Sequence, residues 1–290
     1  MRTIILNQNN VVANSLNDTY TYRFPNGSVE FQNDQVSVAS ISIYFSWFNI
    51  SSATTNSQYN NNAYTYTWYD AGGASVHNVV MPDGYYEVVD LNAYLQREMV
   101  LNGHYLLDGA GQFIYYLELL VNQTYYGVQM NSFPIPTALP AGWSNPAGLT
   151  FPAVATTPQI TISSTNNFGT VIGLNAGTYP PVVQATDYSK LSDFTPQITP
   201  INSLILSCTL LNNKYSNPNT LLYSFTTQGT PFGSLISIQV PQFAFVDIVD
   251  GSYTDFTIQF FDQNLNRVFI NDSNIVVLLV IAKKEKYILN

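Results

Sequence analysis

Charge is what this sequence has least of. Asp, Glu, Lys and Arg make up 9% of the 290 residues, where an average soluble domain carries about 25%. Nine basic and 18 acidic side chains leave a formal charge of −9. That balance argues against a broad nucleic-acid-binding face. The polar surface has to be built from Asn, Gln, Ser, Thr and Tyr. Such a surface repels itself weakly and suits large, permanent contacts between subunits, whose centres are poor in charge and rich in Tyr and Phe. Cysteine is nearly absent. Cys208 alone cannot form an internal disulfide, and its place in an alternating apolar run reads as a buried, inert thiol. The two histidines, His77 and His104, lie in separate segments. With Cys208 they are too few for a zinc site, which takes about four ligands. There is no G-x-S-x-G elbow, no P-loop and no H-E-x-x-H. No run reaches the roughly 18 apolar residues of a membrane span. The apolar stretch of MRTIILNQNN is too short for a secretion signal, so synthesis in the cytoplasm and a reducing environment are expected. The expectation is a protein with no catalytic residues, no cofactor, no metal and no small-molecule substrate.

Material for a core is plentiful. Hydrophobic residues are 46% and aromatics 14%, which excludes a disordered chain. The dominant period is two. Tyr64, Tyr66 and Trp68 share a face, as do Phe113, Tyr115, Leu117, Leu119 and Val121. The pattern recurs in Leu204–Leu210, in Leu221, Tyr223 and Phe225, in Ile236, Ile238 and Val240, and in Phe256, Ile258 and Phe260. Alternation of this kind marks half-buried antiparallel strands. Between Val36 and Trp47 the phase switches near Ala39–Ser40, which predicts a β-bulge. The run Ile275–Ile281 is continuously apolar and predicts a strand covered on both faces. One segment reads as a helix, with Asp90 as its cap, Leu91, Leu95 and Met99 as its stripe and Gly103 as its stop; a short helical turn is expected around Asn167–Leu174. Prolines crowd the stretch from Asn131 to Pro200, where long strands are not expected. Many strands, Gly/Pro-rich turns and little helix predict a β-sandwich.

Several candidate sites dissolve on inspection. Asp262-Gln-Asn264-Leu-Asn266 starts like a calcium loop, but Arg267 stands where Gly is needed and Ser273 where Glu is needed; a tight turn using Asn for left-handed angles is the better reading. Asp247, Asp250 and Asp255 form a loose acidic cluster that reads as solvated loop. The sequons at Asn17, Asn26, Asn49, Asn122 and Asn271 are what a chain rich in Asn, Ser and Thr produces by chance. Arg2 and the cluster Lys283, Lys284 and Lys286 concentrate positive charge near the two ends. They read either as a solvated tail or as a basic surface facing something anionic.

The order of motifs carries a resemblance. The chain reads YRFPNGSVEFQNDQVSVASISIYFSWFNI, then NNNAYTYTW, MPDGYYEVVDLNAYLQREM and GTVIGLNAGTYP, and closes with DFTIQFFDQNLNRVFINDSNIVVLLVIAKK. From about Tyr20 to Lys284 it resembles capsid proteins of virophages and Polinton-like viruses, and in size it resembles their penton, the vertex protein. The resemblance implies an all-β fold, a single jelly-roll sandwich of eight principal antiparallel strands with long loop insertions and one short helix. It implies one domain over 1–290 with a loop-rich insertion at about 131–200. It implies a homopentamer at the fivefold vertices of an icosahedral capsid, contacts with neighbouring major capsid trimers, and a place in the virion. Arg2, Lys283, Lys284 and Lys286 would then be an interior-facing basic tail in weak, non-specific contact with packaged DNA. Two other readings compete with the penton. One is a jelly-roll carbohydrate-binding or fibre-head module using Tyr59, Tyr64, Tyr66, Trp68 and Tyr69; the other is a major-capsid-like subunit.

Overall fold

The computed structural model describes residues 1–13, 15–56, 59–227 and 229–284. In chain order the principal elements begin with β1 (Arg2–Asn7), β2 (Thr19–Arg23) and β3 (Asp34–Tyr44). Next come β4 (Ala63–Asp70), β5 (Gly73–Val80), α1 (Val88–Leu101), β6 (Leu117–Asn122) and β7 (Gly127–Ser132). They are followed by β8 (Gln159–Ile162), α2 (Phe168–Ile172), β9 (Gly177–Tyr179) and β10 (Tyr188–Leu191). The chain closes with β11 (Ser203–Cys208), β12 (Leu221–Thr226), β13 (Leu235–Gln239), β14 (Asp255–Asp262) and β15 (Ile275–Lys283). Among the described residues no helix is long and apolar enough to cross a membrane.

The chain divides into two compact units, one made of Met1–Trp47 with Ile201–Asn290 and the other of Phe48–Pro200. The first unit holds two four-strand ladders, in the orders β1-β15-β3-β13 and β2-β14-β11-β12. Counted along this unit alone, these are its strands 1-8-3-6 and 2-7-4-5. That order, with every pair antiparallel, is a jelly roll. The inward parity holds through the middle of both sheets. Leu6, Tyr20, Ile41, Ile43, Leu204, Leu206, Ile236, Ile238, Val277 and Leu279 are buried, and each such side chain contributes about 1.5–3 kcal/mol by leaving water. Phe256, Ile258 and Phe260 all point inward on β14, which is paired on both sides.

The expected bulge is present. Leu278 pairs with Ser40 and Leu279 with Val38, so Ala39 is the extra residue. It lets Val36 and Val38 point inward before the break and Ile41 and Ile43 after it. The strand β15 departs from expectation. It is not covered on both faces throughout: Ile275, Val277, Leu279 and Ile281 are buried, but Val276 is 44% exposed. Val280, also at an outward position, is buried, so the strand is covered on both faces only toward its end; Val276 and Leu278 belong to an outward sheet face, which hydropathy alone does not distinguish from a second core layer.

The second unit interrupts the roll between β3 and β11, its third and fourth strands. Its sheets run β9-β8-β4-β5 and β10-β7-β6, and α1 packs on β6. Tyr64, Tyr66, Trp68, Leu91, Leu95, Met99, Leu119 and Phe168 belong to one buried cluster. The interruption therefore starts at Phe48, not near residue 131, and it carries a core of its own. The strands of its first half alternate just as the roll strands do, so composition marks only the proline-rich second half. The helix starts earlier than Asp90 suggested. Glu87 occupies the cap position, and Asp90, in the first turn, accepts the Glu87 amide at 2.9 Å. Gly103, at φ +74°, ends it with the His104 amide donating to the Met99 carbonyl at 2.8 Å. The face from Phe113 to Val121 is broken. Phe113–Ile114 pairs with Leu106–Leu107 while Leu117–Asn122 pairs with β7, and Phe113 and Val121 are exposed.

Candidate functional site

Parity decides where the basic residues go. Arg2 continues the inward face of Ile4 and Leu6, Asp34 that of Val36 and Val38, and Lys283 that of Leu279 and Ile281. At this end of the sheet the inward row finishes in charge. The Asp34 side chain is fully buried and accepts from Arg2 Nη2 at 2.5 Å and Lys283 Nζ at 2.9 Å. Burial alone would raise the Asp34 carboxyl; the Lys283 and Gln32 hydrogen bonds and the Arg2 charge hold it below the ordinary value. Lys284 Nζ meets Asp247 Oδ2 at 2.7 Å, which lowers that carboxyl too. The structure thus brings Arg2 and Lys283 onto one carboxylate and gives Lys284 another, while Lys286 lies outside the described residues. Asp34 was not singled out in the sequence. Its signal is an acidic residue at a core-facing position, which needs a cation.

Beside these ion pairs lies a groove of about 840 Å³ bordered by Asn33, Lys214, Tyr215, Asp247, Asp250 and Lys284. Asp250 accepts the Asn33 amide at 2.8 Å. Of the loose acidic cluster, Asp247 and Asp250 therefore meet here in paired roles. Asp255 stands elsewhere, opposite Arg23 in the ladder register. Among the described residues no group of three His, Cys, Asp or Glu side chains could hold a metal.

The Asp262 segment is a turn. Asp262 Oδ1 accepts the amides of Asn264 and Asn266, both at 2.8 Å. The left-handed residue is Leu265, at φ +64°, not an Asn. Arg267 leaves this turn to bind Asp18. Val268 and Ile270 are buried but form no ladder strand. Cys208 is fully buried, and burial pushes its thiol up to about 12.

The two histidines, distant in sequence, meet in the second unit. Their rings lie 4.6 Å apart, edge to face. His104 stacks on Trp68 at 4.4 Å, and its Nδ1 is 2.9 Å from the Tyr66 hydroxyl. His77 Nε2 sits 3.0 Å from the Ser75 hydroxyl. Burial, reinforced by the nearby His77, drives His104 down to about 4 against a small opposing effect of Asp70. It is therefore neutral at pH 7 and packs as an aromatic ring. Among the described residues the recorded hydrogen-bond partners of the two rings are the Tyr66 and Ser75 hydroxyls, not carboxylates. Tyr64, Tyr66 and Trp68 are also buried, so these three rings offer no sugar-stacking face.

The outer faces of the roll are the feature that charge scarcity foretold. On the first sheet the outward side chains include Ile5, Val276, Leu278, Ser42, Tyr44 and Leu235; among the described residues its four long strands carry no outward charge, and the charge on this side is Asp247, opposite Gln35 on the short Val246–Asp247 strand at the basic end. On the second sheet they include Thr21, Thr257, Gln259, Phe261 and Ile205. Arg23 and Asp255, opposite each other at one corner, are its only charges.

No family model matches the chain, and no curated protein matches it. Among solved structures it is similar to the mavirus penton protein, at 11% identity and a TM-score of 0.43, over 97% of this chain and 98% of that one. It is also similar to a chain from the Sputnik virophage, at 12% identity and a TM-score of 0.35, over 98% of each chain.

Proposed function

We propose that this protein is a viral structural protein, a penton-type capsid subunit that forms pentamers at the fivefold vertices of an icosahedral shell. The observation that carries the reading is a jelly roll whose two outer sheet faces are almost free of charge. A rigid sandwich with faces of this kind is built to be covered by protein, since interface centres are depleted in charged residues. The motif order from Tyr20 to Lys284 and its resemblance to virophage and Polinton-like capsid proteins support the penton in particular. In this reading the partners are further copies of the chain and the neighbouring major capsid trimers, the site of action is the virion, and synthesis is in the host cytoplasm. The protein is not an enzyme in this reading. Arg2, Lys283, Lys284 and Lys286 face the particle interior. Three of these cations already meet carboxylates, so their contact with packaged DNA is weak and independent of base sequence.

Antibody labelling of intact particles tests this. Gold confined to the vertices is the expected result. Gold spread evenly over the facets would make the chain a major-capsid-like subunit and end the penton reading.

A further inference from the structure

We infer that the outer face of the β1-β15-β3-β13 sheet docks a second copy of this chain, and that it is met by that copy's β2-β14-β11-β12 face. This deepens the assembly reading above and rests on it.

The first face sets three protruding apolar side chains among exposed polar ones, Thr3, Ser237 and Gln239. Ile5, Leu235 and Val276 are 54%, 47% and 44% exposed. The ladder register gathers them: Ile5 lies opposite Leu278, Val276 opposite Ser42, and Leu235 opposite Tyr44. β1, β15 and β13 thus present large side chains to water, with Ser42 and Tyr44 of β3 between the last two. A shallow groove of about 450 Å³ runs beside them, bordered by Asn7, Ser42, Tyr44, Leu235, Asn274 and Val276. Four strands at about 4.8 Å spacing and a nine-residue strand span roughly 19 by 30 Å. That outline is below the roughly 800 Å² of one side of a standard interface, so this face forms the larger part of a contact and its rim the rest.

Charge selects the occupant. Two molecules of net charge −9 repel at long range, so their contact costs least where neither has to bury an unpaired charge as well. The roll offers two such surfaces, and they are the outer faces of its two sheets. A self-complementary contact through the first face alone would leave the second uncovered. Pairing unlike faces covers both and passes from copy to copy, which closes into a ring when the rotation permits.

Sedimentation of the purified full-length protein, with and without single lysines on each face, tests the inference. Val276→Lys on the first face and Gln259→Lys on the second each place one charge at the contact. Each is expected to weaken self-association about 100-fold, the cost of an unpaired charge at a closed interface. Thermal melts by circular dichroism should be unchanged, because both side chains point outward. Leu235→Lys, on a separate strand, should repeat the first result and guards against a folding defect in Val276→Lys. The decisive arm mixes Val276→Lys with Gln259→Lys. Each retains one intact face, so unlike-face docking gives a 1:1 dimer that grows no further. A mixture that stays monomeric, or a Val276→Lys protein that assembles like wild type, overturns the inference. Wild-type protein that is monomeric at every concentration also overturns it, while vertex labelling of particles still judges the capsid reading separately.

Discussion

Arg267 holds Asp18 through two hydrogen bonds, Nε to Oδ2 and Nη2 to Oδ1, each 2.7 Å long, across 249 positions of sequence. The Asp18 side chain is fully buried while the Arg267 side chain remains 46% exposed. This two-pronged pair ties the segment before β2 to the turn that follows β14. Its geometry has the planar match that makes Arg–carboxylate pairs strong. Replacing Arg267 with Met leaves a buried carboxylate without its cation. Urea unfolding should show a loss of about 3 kcal/mol, in the range for breaking a buried pair from one side. Adding Asp18→Asn should restore part of it. An unchanged midpoint in the Arg267→Met protein would mean that the pair contributes nothing to stability.

Phe260 is fully buried between Tyr20 and Phe225, edge-on to both at 6.2 and 6.4 Å. Phe260→Ala should cost about 3–5 kcal/mol, because the close-packed interior cannot collapse around the lost ring. Its neighbour Phe261 points outward and is half-buried, and Phe261→Ala should cost clearly less than Phe260→Ala, because less of its ring leaves a packed environment. Equal losses for the two would refute the parity of β14.

Stability should fall in acid in two stages. His104 is lowered from 6.5 to about 4 in the folded protein, so the unfolded chain binds its proton first. Stability is then complete above pH 6.5 and declines as pH drops toward 4, by about 2 kcal/mol at pH 5. Asp34, held by Lys283 and Arg2, and Asp247, held by Lys284, are lowered below their ordinary 3.8. Their contribution is present above that value and is lost only at lower pH. Denaturant midpoints measured from pH 8 to pH 3 should show the first decline vanish in His104→Gln and the second persist. A His104→Gln protein with the wild-type slope above pH 4 would exclude His104 as its source.

The proposal that the basic ends face the particle interior has a direct assay. Trypsin added to intact particles should leave the bonds after Lys283 and Lys284 uncut, and opened particles should lose them. Cleavage in closed particles would put these residues outside.

Cys208 should resist thiol reagents in the native state, since it is buried and its thiolate is disfavoured. Reaction with an aromatic disulfide should appear only on adding denaturant. Stoichiometric labelling of folded protein would contradict its placement in the β11 core.

Much of the roll was legible because a strand with one face in a core writes its parity into the sequence. The alternation of Phe256, Ile258 and Phe260, and the phase change at Ala39, needed nothing beyond period-two reading. The stripe Leu91, Leu95 and Met99 was legible for the same reason at the helical period, although the cap moved from Asp90 to Glu87. Parity has limits. It showed that Tyr64, Tyr66 and Trp68 share a face but not whether that face meets water, and they proved to be core. It read β15 as covered on both sides, because outward Val276 is as apolar as inward Val277.

What the sequence determined by itself is local: which residues pair their faces, where a strand must bulge, and that a chain so poor in charge has surfaces fit to be covered. Only the tertiary structure decided the long-range partners. It put Arg2 and Lys283 on Asp34 and Arg267 on Asp18, brought His77 to His104, and set the insertion between β3 and β11 as a unit with its own core. The reason is physical. Periodicity records the environment of each residue along its own strand, whereas the choice of neighbour depends on the strand order of the sheets, and many strand orders satisfy the same alternation.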